Sequence, residues 1–109
     1  MSFLLDPPLL AASGAVIERA VPDPAARRAL GRGTVAAFVG TSLGLYANAP
    51  GLGLLWRPFG ARSGREFMLT SGLARVDERR MTTSRHAAAL ALFALYPVWL
   101  RAGAALARR

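Results

Sequence analysis

The stretch GTVAAFVGTSLGLYANAPGLGLLW (33–56) runs for 24 residues without a charge, bracketed by Arg32 and Arg57. A bilayer's hydrocarbon core, about 30 Å thick, asks for roughly 20 apolar residues as helix, and this stretch supplies them. A second stretch, HAAALALFALYPVWL (86–100), lies between Arg85 and Arg101, and residues 102–107 beyond it are again uncharged. It reaches spanning length only if it continues past Arg101, whose guanidinium can snorkel to the headgroups on its flexible stem. Ala-rich apolar helices also fill the cores of larger soluble proteins. Here 109 residues leave too little other chain to wrap two helices that are apolar all round.

Composition agrees with this reading. All fourteen basic residues are Arg, against six acidic ones, giving a net charge of +8. Charged residues make up 18% of the chain and its mean hydropathy is +0.32, whereas soluble domains are usually about 25% charged. The absence of Cys excludes a disulfide scaffold, a thiolate metal site and a Cys nucleophile. A single His, His86, leaves no His cluster for a metal, so neither metal nor cofactor is expected. The arginines surround the apolar stretches rather than gathering on one soluble face. That favours anionic lipid headgroups over nucleic acid as their partner. The Ala and Arg bias also fits GC-rich coding, so the choice of Arg over Lys says nothing about bidentate binding.

Punctuation divides the chain into four segments. In residues 1–22, Asp6-Pro7 reads as an N-cap followed by proline, opening a helix that Pro22 stops. At about 14 residues it is too short to span and is expected to lie at the membrane interface as an amphipathic helix. Asp6, Pro7 and Pro8 interrupt its apolar residues and no basic region precedes them, unlike a signal peptide. Residues 23–56 repeat the device at Asp23-Pro24 and hold the first span, ending near Asn48 before Pro50, with an interfacial exit after it. Residues 57–85 form a basic loop. Arg65 to Thr70 and Leu73 to Arg79 alternate about Ser71-Gly72, which predicts a small β-hairpin, with a short surface helix as the alternative. Residues 86–109 hold the second span and a basic tail. Ser84 is its expected N-cap, and Pro97 is expected to kink it by depriving the Phe93 carbonyl of its donor.

Ala36, Gly40, Gly44 and Asn48 fall four apart on one helical face, and Ala87, Ala91 and Ala94 form a comparable stripe. Small residues let helices approach closely in lipid, so these seven are the expected helix-packing interface. Trp56, Arg57, Trp99 and Arg101 are the expected interfacial anchors. His86, in a first helical turn, is expected to be solvated. No acidic residue falls within either uncharged stretch, no nucleophile–base constellation is visible, and Gly51-Leu52-Gly53 lacks the context of a phosphate loop. Catalysis by this chain alone is not expected.

These observations predict an all-α integral membrane protein, a two-span helical hairpin with an N-terminal interfacial helix and a basic connecting loop. The expected location is the bacterial inner membrane. The expected role is that of a small accessory subunit, packed against other membrane subunits or further copies of itself. Two other roles fit the same residues: a pore former similar to holins in size and charge, and a membrane anchor for a soluble or redox partner. Arg counts on the two sides of the hairpin are equal at seven each, so the positive-inside rule does not orient it. A two-span topology predicts that single cysteines at Ser2 and Ser63 label from opposite faces of the membrane. Equal labelling from one face would exclude it.

Overall fold

The computed structural model describes residues 3–70 and 81–109. Among the described residues the protein is all-helical, 82% helix, with no strand. Three long helices form the body: α1 (Asp6–Ala20), α2 (Pro24–Tyr46), and a continuous rod over Thr83–Ala107. Short turns of helix follow α2, including α3 (Gly53–Trp56), before α4 (Gly64–Thr70). The rod comprises α5 (Thr83–Ala91), a 3₁₀ turn (Leu92–Leu95) and α6 (Tyr96–Ala107).

Local chemistry accounts for each boundary. Leu5, not Asp6, occupies the N-cap of α1, while Asp6, Pro7 and Pro8 form its first turn. That first turn needs no backbone donors, so the prolines cost nothing there. Pro22 forces Val21 into the extended conformation that ends the helix. Asp23 caps α2 as expected, accepting from the Ala26 N–H at 3.0 Å. At the other end Asn48 turns left-handed at φ 59°. The Ala49 N–H then reaches the Gly44 carbonyl (2.8 Å) and the Asn48 N–H the Leu45 carbonyl (3.0 Å), closing a Schellman motif.

The loop contains a helix where a hairpin strand was expected. Ser63 and Glu66 have the spacing of a capping box. The Ser63 hydroxyl accepts from the Glu66 N–H (3.1 Å), and the Glu66 carboxyl accepts from the Arg62 N–H (3.2 Å). That start commits residues 64–70 to helix and turns Phe67 and Met68 into the core. The second expected strand, 73–79, lies outside the described residues. Thr82, rather than Ser84, caps the rod, accepting from the Arg85 N–H at 3.2 Å. Before Pro97 the backbone tightens to 3₁₀, and the Phe93 carbonyl accepts from the Tyr96 N–H in place of the missing proline donor, within a helix that runs on to Ala107.

The uncharged stretch 33–56 is not one helix. Only its first fourteen residues, through Tyr46, continue α2, and the rest forms the short turns after it. The longest apolar helix is the rod instead. Among the described residues, it is the one helix long and apolar enough to cross a membrane, with 25 residues and an 18-residue window of mean hydropathy 1.6. At about 1.5 Å per residue its length exceeds a 30 Å hydrocarbon core.

Helix packing follows from two glycines. A Cβ on Gly14 would sit 2.0 Å from the Leu100 carbonyl oxygen, and one on Gly103 would sit 1.8 Å from that of Ala11. The backbones of α1 and α6 therefore touch, with no side chain between them. Residue numbers rise together along this contact: Asp6 meets Tyr96 and Glu18 meets Arg108, so α1 lies lengthwise beside α6 and parallel to it. Along α2 they fall, Arg27 meeting Glu18 and Ser42 meeting Asp6, so α2 is antiparallel to both. The core gathers at the end near Asp6, where Leu10, Leu45, Tyr46, Phe67, Met68, Ala89, Phe93 and Tyr96 are buried. Phe3 closes it edge-on against Phe93 and Tyr46, with ring centroids 5.2 and 6.0 Å away.

Gly103→Ala is expected to cost at least about 1–3 kcal/mol by overpacking. Gly40→Ala, at a position with nothing within 4 Å, is expected to be neutral or stabilising by up to about 1 kcal/mol. Thermal unfolding followed by circular dichroism in detergent measures both. Equal effects would refute the backbone contact.

Candidate functional site

The exposed surface and the buried polar groups are organised at separate levels. Ala36 and Gly40 lie exposed on α2, and the space a Cβ on Gly40 would enter is open. Ala87, Ala91 and Ala94 are likewise exposed on the rod. Beside them Leu90, Leu92, Leu95 and Val98 also face outward. These small and branched residues make an apolar surface that the described residues do not cover. Gly44 differs, because a Cβ there would come within 2.8 Å of the Leu52 side chain. Asn48 is occupied too: its side-chain oxygen accepts from the Arg65 N–H at 2.9 Å. Within the chain, the close helix contact belongs to Gly14 and Gly103 rather than to the Ala36–Gly40 stripe.

Of the expected anchors, Trp56 and Trp99 are half-buried against the core, and the Arg57 guanidinium lies 5.5 Å from the Trp56 ring centre. Arg101 is exposed on α6.

Two polar clusters escape a reading of the sequence. Asp6 is completely buried, and its Oδ2 accepts from the Ser42 hydroxyl (2.9 Å) and from the Tyr96 hydroxyl. One carboxyl group thus joins α1, α2 and α6. A carboxyl removed from water is tolerated only where hydrogen bonds replace hydration, and no buried side-chain nitrogen or oxygen among the described residues lacks a partner. Asp6 is therefore a fastener rather than the helix cap expected of it.

The second cluster surrounds Tyr46. Its hydroxyl is hydrogen-bonded to His86 Nδ1, and the two rings meet edge-on with centroids 5.7 Å apart. Arg65 lies 5.3 Å from the Tyr46 ring centre and donates from Nε to the Tyr46 carbonyl at 2.8 Å. His86 is thus half-buried and engaged, in contrast to the solvated residue expected. Among the described residues no group of three or more His, Cys, Asp or Glu could hold a metal ion.

No protein-family profile, curated protein or solved structure matches this chain.

Removing one donor from a buried acceptor costs about 1–3 kcal/mol, so Tyr96→Phe is expected to lower stability by that amount. In an Asp6→Leu background the same change is expected to cost far less, since its partner is gone. A double-mutant cycle read by thermal unfolding measures the difference. Additive effects would dismiss the three-helix fastener.

Proposed function

We propose that this chain is a two-span membrane protein acting as a small accessory subunit, whose exposed helix faces pack against the helices of a larger membrane complex. One observation carries the reading: only 22% of the most apolar window of Thr83–Ala107 is buried within the molecule. A soluble protein that left such a helix uncovered would expose a large apolar patch to water. Lipid or partner helices remove that cost.

The second proposed span is α2, which is antiparallel to α6; its uncharged part, 33–46, is about 21 Å long, so it crosses with both Arg28 and Arg32 snorkelling to one headgroup layer. Hydroxyl chemistry fits apolar surroundings: Thr34 bonds back to the Leu30 carbonyl (2.7 Å) and Ser13 to that of Leu9 (2.8 Å). Partner helices would approach at Ala36 and Gly40, where small side chains admit close backbone contact. The inner membrane of a bacterium is the proposed location. The Phe3 N–H donates to the Met68 carbonyl (3.1 Å), so the N-terminus and the loop lie at one end of the molecule; single cysteines at the exposed Arg62 and Arg109 are the pair expected to label from opposite faces.

The discriminating variant is Gly40→Leu, since Gly40 is exposed with open space beside it, Gly44 is not free to change, and Ala36 lines a groove between α2 and α6. Purification in mild detergent, with mass spectrometry of the co-eluting proteins, should show membrane subunits with the wild type and their loss with the variant. The melting temperature should be unchanged. A wild-type chain that elutes alone, or dissolves without detergent, would overturn the assignment.

A further inference from the structure

At the end opposite the aromatic core, α1, α2 and α6 enclose an open groove of about 720 Å³, within the ~300–1,000 Å³ of ordinary ligand sites. Its walls change character along their length. On α2 the groove is lined first by Arg28 and Arg32 and then, a turn further on, by Val35 and Val39. On α6 it is lined by Pro97 and Leu100 and then by Arg101 and Arg108. Because α2 and α6 are antiparallel, the charged ends of both walls coincide, and so do the apolar ends. The groove has a cationic mouth and an apolar floor.

The charge at the mouth is not balanced internally. Glu18 is the one carboxyl group lining it, and Arg27 (3.4 Å) and Arg108 (3.7 Å) already pair with that group. Arg28, Arg32 and Arg101 have no carboxylate partner among the described residues. Three unpaired guanidiniums beside an apolar trough call for a ligand that is anionic at one end and hydrocarbon at the other. An acyl chain alone leaves the arginines unmatched, and a soluble phosphate leaves the trough wet.

We propose that this groove binds an anionic phospholipid. Its phosphate lies among Arg28, Arg32 and Arg101, and one acyl chain runs over Val35, Val39, Pro97 and Leu100. Basic pockets between membrane helices recognise such headgroups by this chemistry. The inference rests on the membrane reading above, with the lipid sealing the gap between the two proposed spans at one headgroup layer.

Native mass spectrometry of the full chain released from detergent tests it, with dioleoyl-phosphatidylglycerol and dioleoyl-phosphatidylcholine supplied in equal amounts. Wild type should retain the anionic lipid with at least about tenfold preference, the scale of several headgroup-level arginines acting together. The triple variant Arg28→Gln, Arg32→Gln, Arg101→Gln should lose that preference while keeping its melting temperature. Arg57→Gln, which lies outside the groove, should keep it. Val39→Trp, which fills the floor, should weaken retention if its melting curve shows it folded. Wild type without preference, or a triple variant that keeps it, would overturn the groove while leaving the membrane reading intact. Full displacement of the lipid by glycerol phosphate would identify a soluble phosphate ligand and overturn the acyl-chain assignment. A chain soluble without detergent would overturn the membrane reading first and this inference with it.

Discussion

The contact between the backbones of α1 and α6 at Gly14 and Gly103 is the constraint on which the other arrangements depend. With no side chain at either position, each helix lets the other's carbonyl oxygen into the place a Cβ would hold. Two helices so close have little freedom to slide, and their register brings Asp6 to Tyr96 and Glu18 to Arg108. The short 21–23 connection then returns α2 antiparallel, steadied by the Arg27–Glu18 pair and by the Arg27 Nε bond to the Val21 carbonyl. Core, groove and exposed face are consequences of that placement.

Polar contacts between the described helices of this small apolar protein gather at a few junctions. Asp6 ties three helices at one end, and Glu18 draws Arg27 and Arg108 together at the other. Tyr46, His86 and Arg65 join the end of α2 to the rod and to α4. Hydrophobic contact alone orients helices weakly where the surroundings are themselves apolar, since lipid competes for the same surfaces. Directional hydrogen bonds and close backbone approach carry more of the specificity there. The surface between the junctions is not covered by the described residues.

Much of the helical layout was legible in the residues. The proline starts at Pro7 and Pro24, the stop at Pro22 and the 3₁₀ turn before Pro97 all follow from the missing proline N–H and its fixed φ. These effects are local. The expected hairpin failed because the Ser63–Glu66 capping box and the burial of Phe67 and Met68 outweighed the alternation about Ser71-Gly72. Gly40 and Gly44 stand in a spacing that repeats along one helix. Gly14 and Gly103 belong to no such repeat, and each has meaning only beside the backbone of the other's helix, at the far end of the sequence. Small residues at Ala11 and Ala104 were the faint signal that could have found them.

The sequence by itself determined that this chain is helical, apolar and arginine-bracketed, because hydropathy, proline position and charge spacing act over a few turns. It also determined that no thiolate and no His cluster was at hand. Only the tertiary structure decided which glycines meet, that Asp6 is buried rather than capping, and that the arginines of α2 and α6 share one mouth. Those outcomes depend on register between helices distant in sequence. Register is set by steric fit and by the pairing of polar groups that lose water together, and neither is written in any single segment.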